Sequence, residues 1–103
     1  MPARIVDLHR LAREDFRKAV DWYSRQNPAK ALEFIAAVRN AQQDIGDHAE
    51  LYGVESHGVR WLLLRKFPYI IRFTIISDSA CQIVAISHKS RRPGHWARRL
   101  SRP

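Results

Sequence analysis

The sequence predicts an α+β domain in which an N-terminal helical hairpin packs on one face of a small antiparallel β-sheet. Three observations support this fold class. Apolar residues recur every three to four positions up to residue 45, as on helices, and at every second position after residue 58, as on strands. The connections in the second part are too short for helical crossovers, so neighbouring strands there are expected to run antiparallel.

The helical hairpin is predicted from two apolar stripes and the break between them. The stripes cover residues 8–23 and 31–45. Asn27 suits the N-cap of the second helix, and Pro28 suits its first position, where a missing N–H costs no hydrogen bond. Gly46 is the expected C-cap of the second helix. A break this short indicates an antiparallel helical hairpin.

Three strands are predicted where β-branched and aromatic residues alternate with others, at positions 59–67, 69–76 and 81–88. One face of the middle strand is apolar throughout and is expected to lie under the helices: Tyr69, Ile71, Phe73 and Ile75. The other face carries Arg72 and Thr74 and is expected to meet solvent or a partner. In the first of these strands the buried face is ambiguous, because both faces carry charge and bulk.

The remaining segments and the bulk composition bound the class of protein. Ile5 and Val6 can form a short first strand, residues 95–100 a short C-terminal helical turn, and residues 47–58 a connecting loop. A chain of 103 residues with 46% hydrophobic and 27% charged residues is expected to form one domain, residues 1–103. No signal peptide is recognisable, and no apolar run approaches the roughly 20 residues of a membrane span. We therefore expect a soluble, cytoplasmic protein that does not bind a membrane.

The net positive charge lies in the second half of the chain. Residues 1–54 contain eight Lys or Arg and eight Asp or Glu, whereas residues 55–103 contain ten Lys or Arg and two acids, Glu55 and Asp78. The formal net charge of +8 therefore belongs to the second half. A basic surface of this kind indicates an anionic partner, and charge alone allows nucleic acid, an acidic protein or an anionic membrane surface, in that order.

A histidine followed by a dense basic segment is the candidate for catalysis. His88 ends the last predicted strand beside Arg91 and Arg92, so its imidazole could take a ribose 2′-hydroxyl proton while the arginines stabilise the transition state. Trp96 or His95 could stack on a splayed base. In the alternative interpretation His88 only ends the strand, and the arginines are solvated or pair with an acidic partner.

Other patterns of catalytic or cofactor sites are absent from the sequence. The histidines lie on separate elements, Cys81 stands alone, and no Cys/His spacing matches a metal site. There is no Gly-rich phosphate loop and no G-x-S-x-G motif. The paired acids Glu14 and Asp15 are expected to form ion pairs on a solvated helix face. We therefore expect neither a metal nor a cofactor.

Several short motifs occur in an order that is typical of one protein family. The helical part contains Asp21-Trp22-Tyr23 and Asn27-Pro28-Ala29. After it come Gly58-Val59-Arg60, Phe67-Pro68-Tyr69 with Ile71 and Phe73, and Ile86-Ser87-His88 leading through Arg91, Pro93 and Trp96 to Arg98. In this order and spacing, over nearly the whole chain, the motifs resemble the RelE/ParE superfamily of toxins from type II toxin–antitoxin systems, often labelled plasmid stabilisation proteins.

The resemblance implies a small toxin that is encoded beside an antitoxin and arrests growth when it is free. The antitoxin is expected to wrap an acidic, amphipathic C-terminal segment around the toxin, which gives a hetero-oligomer. RelE-like members enter the ribosomal A site and cut mRNA, using basic residues and a C-terminal aromatic residue or histidine. ParE-like members inhibit DNA gyrase and are not known as nucleases.

Two departures from the RelE pattern favour the ParE-like branch. The strand that would carry a tight basic cluster has only Arg60, Arg65 and Lys66, and His95-Trp96 replaces the expected C-terminal tyrosine. We therefore predict a ParE-like toxin with DNA gyrase as its target. A ribosome-dependent mRNA endonuclease and a non-toxic nucleic-acid-binding module are the alternatives, so whether the protein is an enzyme stays open.

The candidate site residues follow from these alternatives. If the protein is a nuclease, His88 and Arg91 are the expected catalytic residues. The residues expected to bind the target or the antitoxin are basic or aromatic: Arg60, Arg65, Lys66, Arg72, Arg92, His95, Trp96 and Arg98.

Overall fold

Two long helices lie on one face of a four-stranded β-sheet in the computed structural model, which describes residues 3–92 and 94–101. The regular elements are β1 (Ile5–Leu8), α1 (Arg10–Gln26), α2 (Pro28–His48), β2 (Arg60–Leu63), β3 (Tyr69–Ser77) and β4 (Ala80–His88). Short 3-10 turns are formed by Ala49–Leu51, Ser56–Gly58 and Ala97–Ser101. The predicted fold class is confirmed, including the short first strand and the short C-terminal turn. Pro93, one of the motif residues above, lies outside the described residues.

The helical hairpin turns at the residues that the sequence predicts. Asn27 caps α2, because its side-chain oxygen accepts a hydrogen bond from the backbone N–H of Ala29 at 2.9 Å, and Pro28 takes the first helical position. The N–H of Asn27 donates to the carbonyl of Tyr23 and so ends α1. His9 caps the start of α1, where its Nδ1 accepts a backbone N–H two residues ahead at 3.0 Å.

Gly46 does not end α2, and the prediction of a C-cap there is wrong. The helix continues to His48. A Cβ atom at position 46 would lie 2.7 Å from the carbonyl oxygen of Arg4, and the N–H of Arg4 donates to the carbonyl of Gly46 at 2.9 Å. The glycine therefore lets α2 touch the chain that leads into β1, a tertiary contact that the apolar periodicity of the helix does not encode.

The strands lie in the order β1–β4–β3–β2. β2, β3 and β4 form the predicted antiparallel meander, whereas β1 is parallel to β4, from Ile5 beside Ala80 to Leu8 beside Ile83. The complete sheet is therefore mixed. The two helices between β1 and the meander supply the long connection that a parallel arrangement requires, and an alternating pattern alone does not give the direction of a strand.

The predicted inner face of β3 is buried under the helices. Ile71 and Phe73 are fully buried there, and Tyr69 and Ile75 pack at the margin of the same core. Phe34 of α2 lies among them, with its ring centroid 5.2 Å from that of Tyr69. Of the helices in the described part of the chain, none is long and apolar enough to span a membrane.

Candidate functional site

Basic side chains gather at one end of the sheet, where the turn between β2 and β3 meets the end of β4. The N–H of Lys89 donates to the carbonyl of Pro68 at 2.8 Å and ties the two segments together. The sequence has no acidic residue at positions 56–77 or 79–103, so no carboxylate in these segments offsets the charge. The exposed cations of this region, called the basic end below, are Arg65, Lys66, Lys89, Arg91 and Arg92.

Beside the basic end, apolar side chains lie on the face of the sheet that is opposite the helices. Trp61 and Leu63 alternate along β2 with the inward-facing Leu62 and Leu64, and they are 42% and 49% exposed. Ile70 of β3 is the pairing partner of Leu63, so the two side chains share a face. Trp61, Leu63 and Ile70 are called the apolar strip below. The sequence pattern of β2 does not show which of its faces is buried. In the structure the buried face is the one that carries Leu62 and Leu64, because both leucines pack in the core under the helices.

Much of the rest of this face is covered by residues 94–101, called the C-terminal segment below. Trp96 is only 2% exposed and packs against Val59, Val84 and Ala85. The register between β3 and β4 shifts there, as in a β-bulge, which brings two successive residues of β4 into this second core. The indole N–H of Trp96 is buried, and no hydrogen-bond partner for it is found among the described residues. The ring that was expected to stack on a base is thus occupied by internal contacts.

An ion pair that is largely shielded from solvent anchors the C-terminal segment to α1. The guanidinium of Arg99 contacts both carboxylate oxygens of Asp15, at 2.6 and 3.2 Å, and each side chain is 10% exposed. Asp15 also accepts the N–H of Ile86 at 3.1 Å, and Arg99 donates to the carbonyl of Val84 at 3.0 Å. Because β1 pairs with β4 only as far as Ile83, the ion pair covers the edge of β4 beyond that point. The prediction of a solvated ion pair for Asp15 is therefore wrong.

Two of the arginines that were predicted to bind a partner are used inside the fold. Arg60 donates to the carbonyl oxygens of Tyr52 and Glu50 at 2.7 and 3.2 Å and so holds the loop after α2. Arg72 forms a 2.8 Å ion pair with Glu55, and its guanidinium lies 5.8 Å from the centroid of the buried indole ring of the C-terminal segment. In this arrangement both guanidinium groups are directed at internal partners rather than at solvent.

His95 is held between Ser87 and the backbone. Its Nε2 lies 2.7 Å from the hydroxyl oxygen of Ser87, and its Nδ1 lies 3.0 Å from the carbonyl oxygen of Arg92. Because a carbonyl can only accept, Nδ1 carries the proton and Nε2 accepts the hydrogen bond from Ser87. Burial lowers the pKa of His95, the bond to the carbonyl opposes this, and the surrounding arginines lower it further. A serine beside a neutral histidine could serve as a nucleophile with its base, yet Ser87 is buried and closed to a substrate.

His88 is exposed, but its hydrogen bonds do not suit a general base. Its Nδ1 accepts the N–H of Ser90 at 3.1 Å and lies 2.7 Å from the hydroxyl oxygen of the same residue. In the neutral ring Nε2 therefore carries the proton, and it can donate a hydrogen bond but cannot accept a proton. Arg91 lies in the same turn, where its N–H donates to the carbonyl of His88 at 3.0 Å. The two predicted catalytic residues are thus neighbours, with the basic nitrogen of the histidine already engaged.

A groove of about 640 Å³ separates α2 from β2 and the turn that follows it. Its helical wall includes the small residues Ala36, Ala37 and Ala41, and its other wall is formed by residues 62–67, with Tyr52 also lining the cavity. It is called the α2–β2 groove below. Small side chains on one wall allow a partner backbone to approach the helix closely.

Charge is divided between the two walls of the α2–β2 groove. Glu33 and Asp44 stand on the helical wall, and the hydroxyl of Tyr52 is hydrogen bonded to the carboxylate of Asp44. Arg65 and Lys66 stand on the opposite wall and belong to the basic end as well. An acidic side chain of a bound segment would therefore be attracted to the strand wall and repelled from the helical wall.

The two edges of the sheet are protected to different degrees. At β1, the carbonyl of Val6 accepts a hydrogen bond from the side chain of Gln42 of α2 at 2.7 Å. At β2, the N–H of Trp61 donates to the carbonyl of Gly53 at 3.2 Å. Leu63 is the next residue of β2 whose backbone faces away from β3, at the border of the α2–β2 groove. This end of β2 is therefore the place where a partner could add to the sheet edge.

The structure brings some predicted residues together and uses others internally. At or beside the basic end lie Arg65, Lys66, His88, Arg91 and Arg92. Four predicted residues are engaged in internal contacts: Arg60, Arg72, His95 and Trp96. Arg98 lies on the C-terminal segment, and its side chain is exposed. The sequence pattern did not point to Trp61, to Leu63 or to the alanine wall of α2. Trp61 and Leu63 could have been found from the alternation of the strand, because placing Leu62 and Leu64 in the core puts these two residues on the outer face.

No metal site is apparent in the described parts of the chain, because no three His, Cys, Asp or Glu side chains there are grouped to hold an ion. Cys81 is buried in the main core as a free thiol, and burial raises its pKa. A thiol that is both buried and protonated has little nucleophilic character.

The arrangement of the helices and the sheet recurs in a solved toxin–antitoxin structure. A solved structure described as the chromosomal ParDE TA system from P. aeruginosa is similar to this chain with a TM-score of 0.71 and 24% sequence identity, covering 84% of this chain and 96% of that one. No curated protein is significantly similar in sequence. The family described as the ParE toxin of the type II toxin–antitoxin system parDE matches residues 6–93. The chain therefore belongs to the ParE toxin family, and its family implies an antitoxin as a partner.

Proposed function

We propose that this toxin arrests growth in the bacterial cytoplasm by binding DNA gyrase, with residues 1–103 acting as one domain, and that it does not cut RNA. The observation that carries this proposal is that several basic and aromatic groups that could have bound RNA are used inside the fold, and that the histidine predicted to act as a base has its acceptor nitrogen occupied. Arg60, Arg72 and Trp96 contact other parts of the fold, and the Nδ1 of His88 is occupied by Ser90. What stays exposed is a surface suited to binding rather than to proton transfer.

The α2–β2 groove is the proposed site for the acidic, amphipathic segment of the antitoxin. The alanines of α2 offer an apolar wall, and Arg65 and Lys66 offer positive charge on the opposite wall. An amphipathic segment could lay its apolar side on the alanines and its acidic side chains along the strand wall. The outward-facing backbone of Leu63 would allow part of that segment to pair with β2.

The test separates the two possible targets with purified components. The toxin is added to DNA gyrase in a supercoiling assay and, separately, to a translation extract in which mRNA cleavage is mapped by primer extension. We expect loss of supercoiling, reversed by the cognate antitoxin, and intact mRNA. Cleavage of translated mRNA together with unchanged supercoiling would contradict the gyrase proposal.

A ribosome-dependent endonuclease is the second candidate, and one observation favours it. His88 and Arg91 lie in the same exposed turn of the basic end. For this candidate, His88→Ala abolishes both mRNA cleavage and growth arrest, since the histidine would be essential to the chemistry. If the toxin acts on gyrase, the same variant arrests growth much as the unchanged protein does.

A further inference from the structure

The apolar strip and the basic end form one continuous surface. The strip follows β2 from Trp61 to Leu63, and the chain then enters the turn that carries Arg65 and Lys66. Successive outward side chains of a strand are about 7 Å apart, so Trp61 and Leu63 are neighbours along the strip, and Arg65 follows two residues after Leu63 in the turn. Trp61 and Leu63 are both exposed at alternate positions of one strand, and contiguous exposed apolar side chains commonly mark an interaction site.

The tryptophan of this surface lies against a neighbouring loop. The indole nitrogen of Trp61 lies close to Gly53, where a Cβ atom would be only 3.3 Å from it. Gly53 therefore leaves room for the ring to lie against the loop while 42% of the residue stays exposed. A large aromatic side chain with a fixed orientation loses little conformational entropy on binding, which is the property of an interface hot spot.

The surface suits a protein better than a nucleic acid. Leu63 and Ile70 are aliphatic and cannot stack on bases, whereas a nucleic-acid platform relies on aromatic stacking. The cations are gathered at one end of the strip instead of following a phosphate backbone along it. An apolar centre with an arginine-rich border is the composition of a protein interface, and the absence of acidic residues from the basic end calls for an acidic partner.

We propose that the apolar strip and the basic end together dock an acidic surface of the protein that the toxin inhibits. This inference rests on one part of the proposed function, namely that the toxin arrests growth by binding a protein. Trp61 supplies the central anchor, Leu63 and Ile70 extend the apolar contact, and Arg91 and Arg92 face the acidic border of the partner.

This docking surface overlaps the α2–β2 groove at three residues. Leu63, Arg65 and Lys66 line the groove and also belong to the apolar strip or the basic end. Trp61, Ile70, Arg91 and Arg92 do not line the groove. A segment bound in the groove would therefore cover part of the docking surface, and the four residues outside the groove allow target binding to be tested separately from antitoxin binding.

The test compares Trp61→Ala and the double variant Arg91→Glu/Arg92→Glu with matched controls on α1, Trp22→Ala and the double variant Arg13→Glu/Arg25→Glu, which changes the net charge by the same amount. Trp22 is 52% exposed, so removing it deletes a similar exposed indole from a different surface. Each full-length protein is assayed for growth arrest on induction, for affinity to purified gyrase, to the cognate antitoxin and to a duplex oligonucleotide, and for thermal stability.

We expect Trp61→Ala to weaken gyrase binding about 30-fold and to abolish growth arrest, as loss of a central tryptophan anchor does. The arginine double variant should lose affinity mainly at low salt, through slower association. Antitoxin affinity should change less than about threefold, and both control variants should remain toxic.

The outcomes separate this inference from the choice of target. Growth arrest by Trp61→Ala equal to that of the unchanged toxin would overturn the docking surface, whatever the target. Loss of oligonucleotide binding with retained gyrase binding would overturn it in favour of nucleic acid. If the unchanged toxin arrests growth without binding gyrase, and Trp61→Ala abolishes the arrest, the docking surface is supported and gyrase is rejected.

Discussion

Removing Arg99 should destabilise the domain strongly, because it leaves a carboxylate buried without its counter-charge. Asp15 and Arg99 are each 10% exposed and are joined by two contacts of 2.6 and 3.2 Å. In Arg99→Met the side-chain volume is roughly kept, but Asp15 retains only the N–H of Ile86 as a described partner. Breaking a buried ion pair in this way costs about 3–5 kcal/mol, a large share of the roughly 5–15 kcal/mol that stabilises a domain.

The pairwise part of this cost can be isolated with a double-mutant cycle. Asp15→Asn/Arg99→Met removes both charges and keeps an acceptor for the N–H of Ile86, so it should cost only about 1–2 kcal/mol. Adding Asp15→Asn to Arg99→Met should therefore recover part of the lost stability, so the effects of the two substitutions are not additive. The control is Arg17→Met, which removes an exposed 3.5 Å pair with Asp21 and should cost less than about 0.5 kcal/mol.

Urea unfolding followed by circular dichroism measures these differences. For a domain of this size an m value of about 1.5 kcal/mol per molar is reasonable, so a loss of 3 kcal/mol moves the midpoint by about 2 M. A loss below about 1 kcal/mol in Arg99→Met, or strictly additive effects in the cycle, would refute the argument that this ion pair holds the C-terminal segment in place.

Three further outcomes are expected. Gly46→Ala should lower the free energy of unfolding by about 1–3 kcal/mol, because its Cβ would overlap a carbonyl beside β1, whereas the exposed Asp47→Ala should be nearly neutral in the same thermal melts. Because the pKa of His95 is lowered in the fold, the unfolded chain binds more protons near pH 6, and the free energy of unfolding should decrease as the pH is lowered from 7.5 to 5.5. Urea midpoints measured over this range should depend less on pH in His95→Gln. Ala37→Phe should fill the α2–β2 groove, so calorimetry should show antitoxin binding weakened at least about tenfold while growth arrest is retained. Gln43→Phe is the control, because Gln43 lies outside that groove and its replacement should leave antitoxin binding unchanged.

Local chemistry explains which parts of the fold could be predicted from the sequence. Asn27 and Pro28 act through their own capping geometry, so the hairpin follows from two adjacent residues. The inner face of β3 follows from the apolar residues at every second position from Tyr69 to Ile75, and the burial of Ile71 and Phe73 agrees with it. The direction of β1 does not follow, because direction is decided by the helices that separate β1 from its neighbour.

The candidate site was less predictable, since its residues are sorted by contacts between distant parts of the chain. Asp15 and Arg99 are separated by 84 positions, and nothing around either residue signals the other. Trp96 looked like an exposed aromatic residue beside a basic cluster, yet it is buried because the bulge in β4 and Val59 form a second core beneath it. Sequence composition locates the positive charge in this half of the chain but cannot tell exposed cations from internal ones.

The separation between internal and exposed cations determines how non-toxic variants of this toxin should be interpreted. Arg60, Arg72 and Arg99 hold loops and the C-terminal segment, so their loss would abolish toxicity by loosening the domain and should also weaken antitoxin binding. Arg91 and Arg92 lie on a turn outside both cores, so their loss should leave the fold intact. A set of non-toxic variants sorted by antitoxin affinity and by melting temperature should therefore divide into two groups. Only the group with unchanged stability reports on the surface that meets the target.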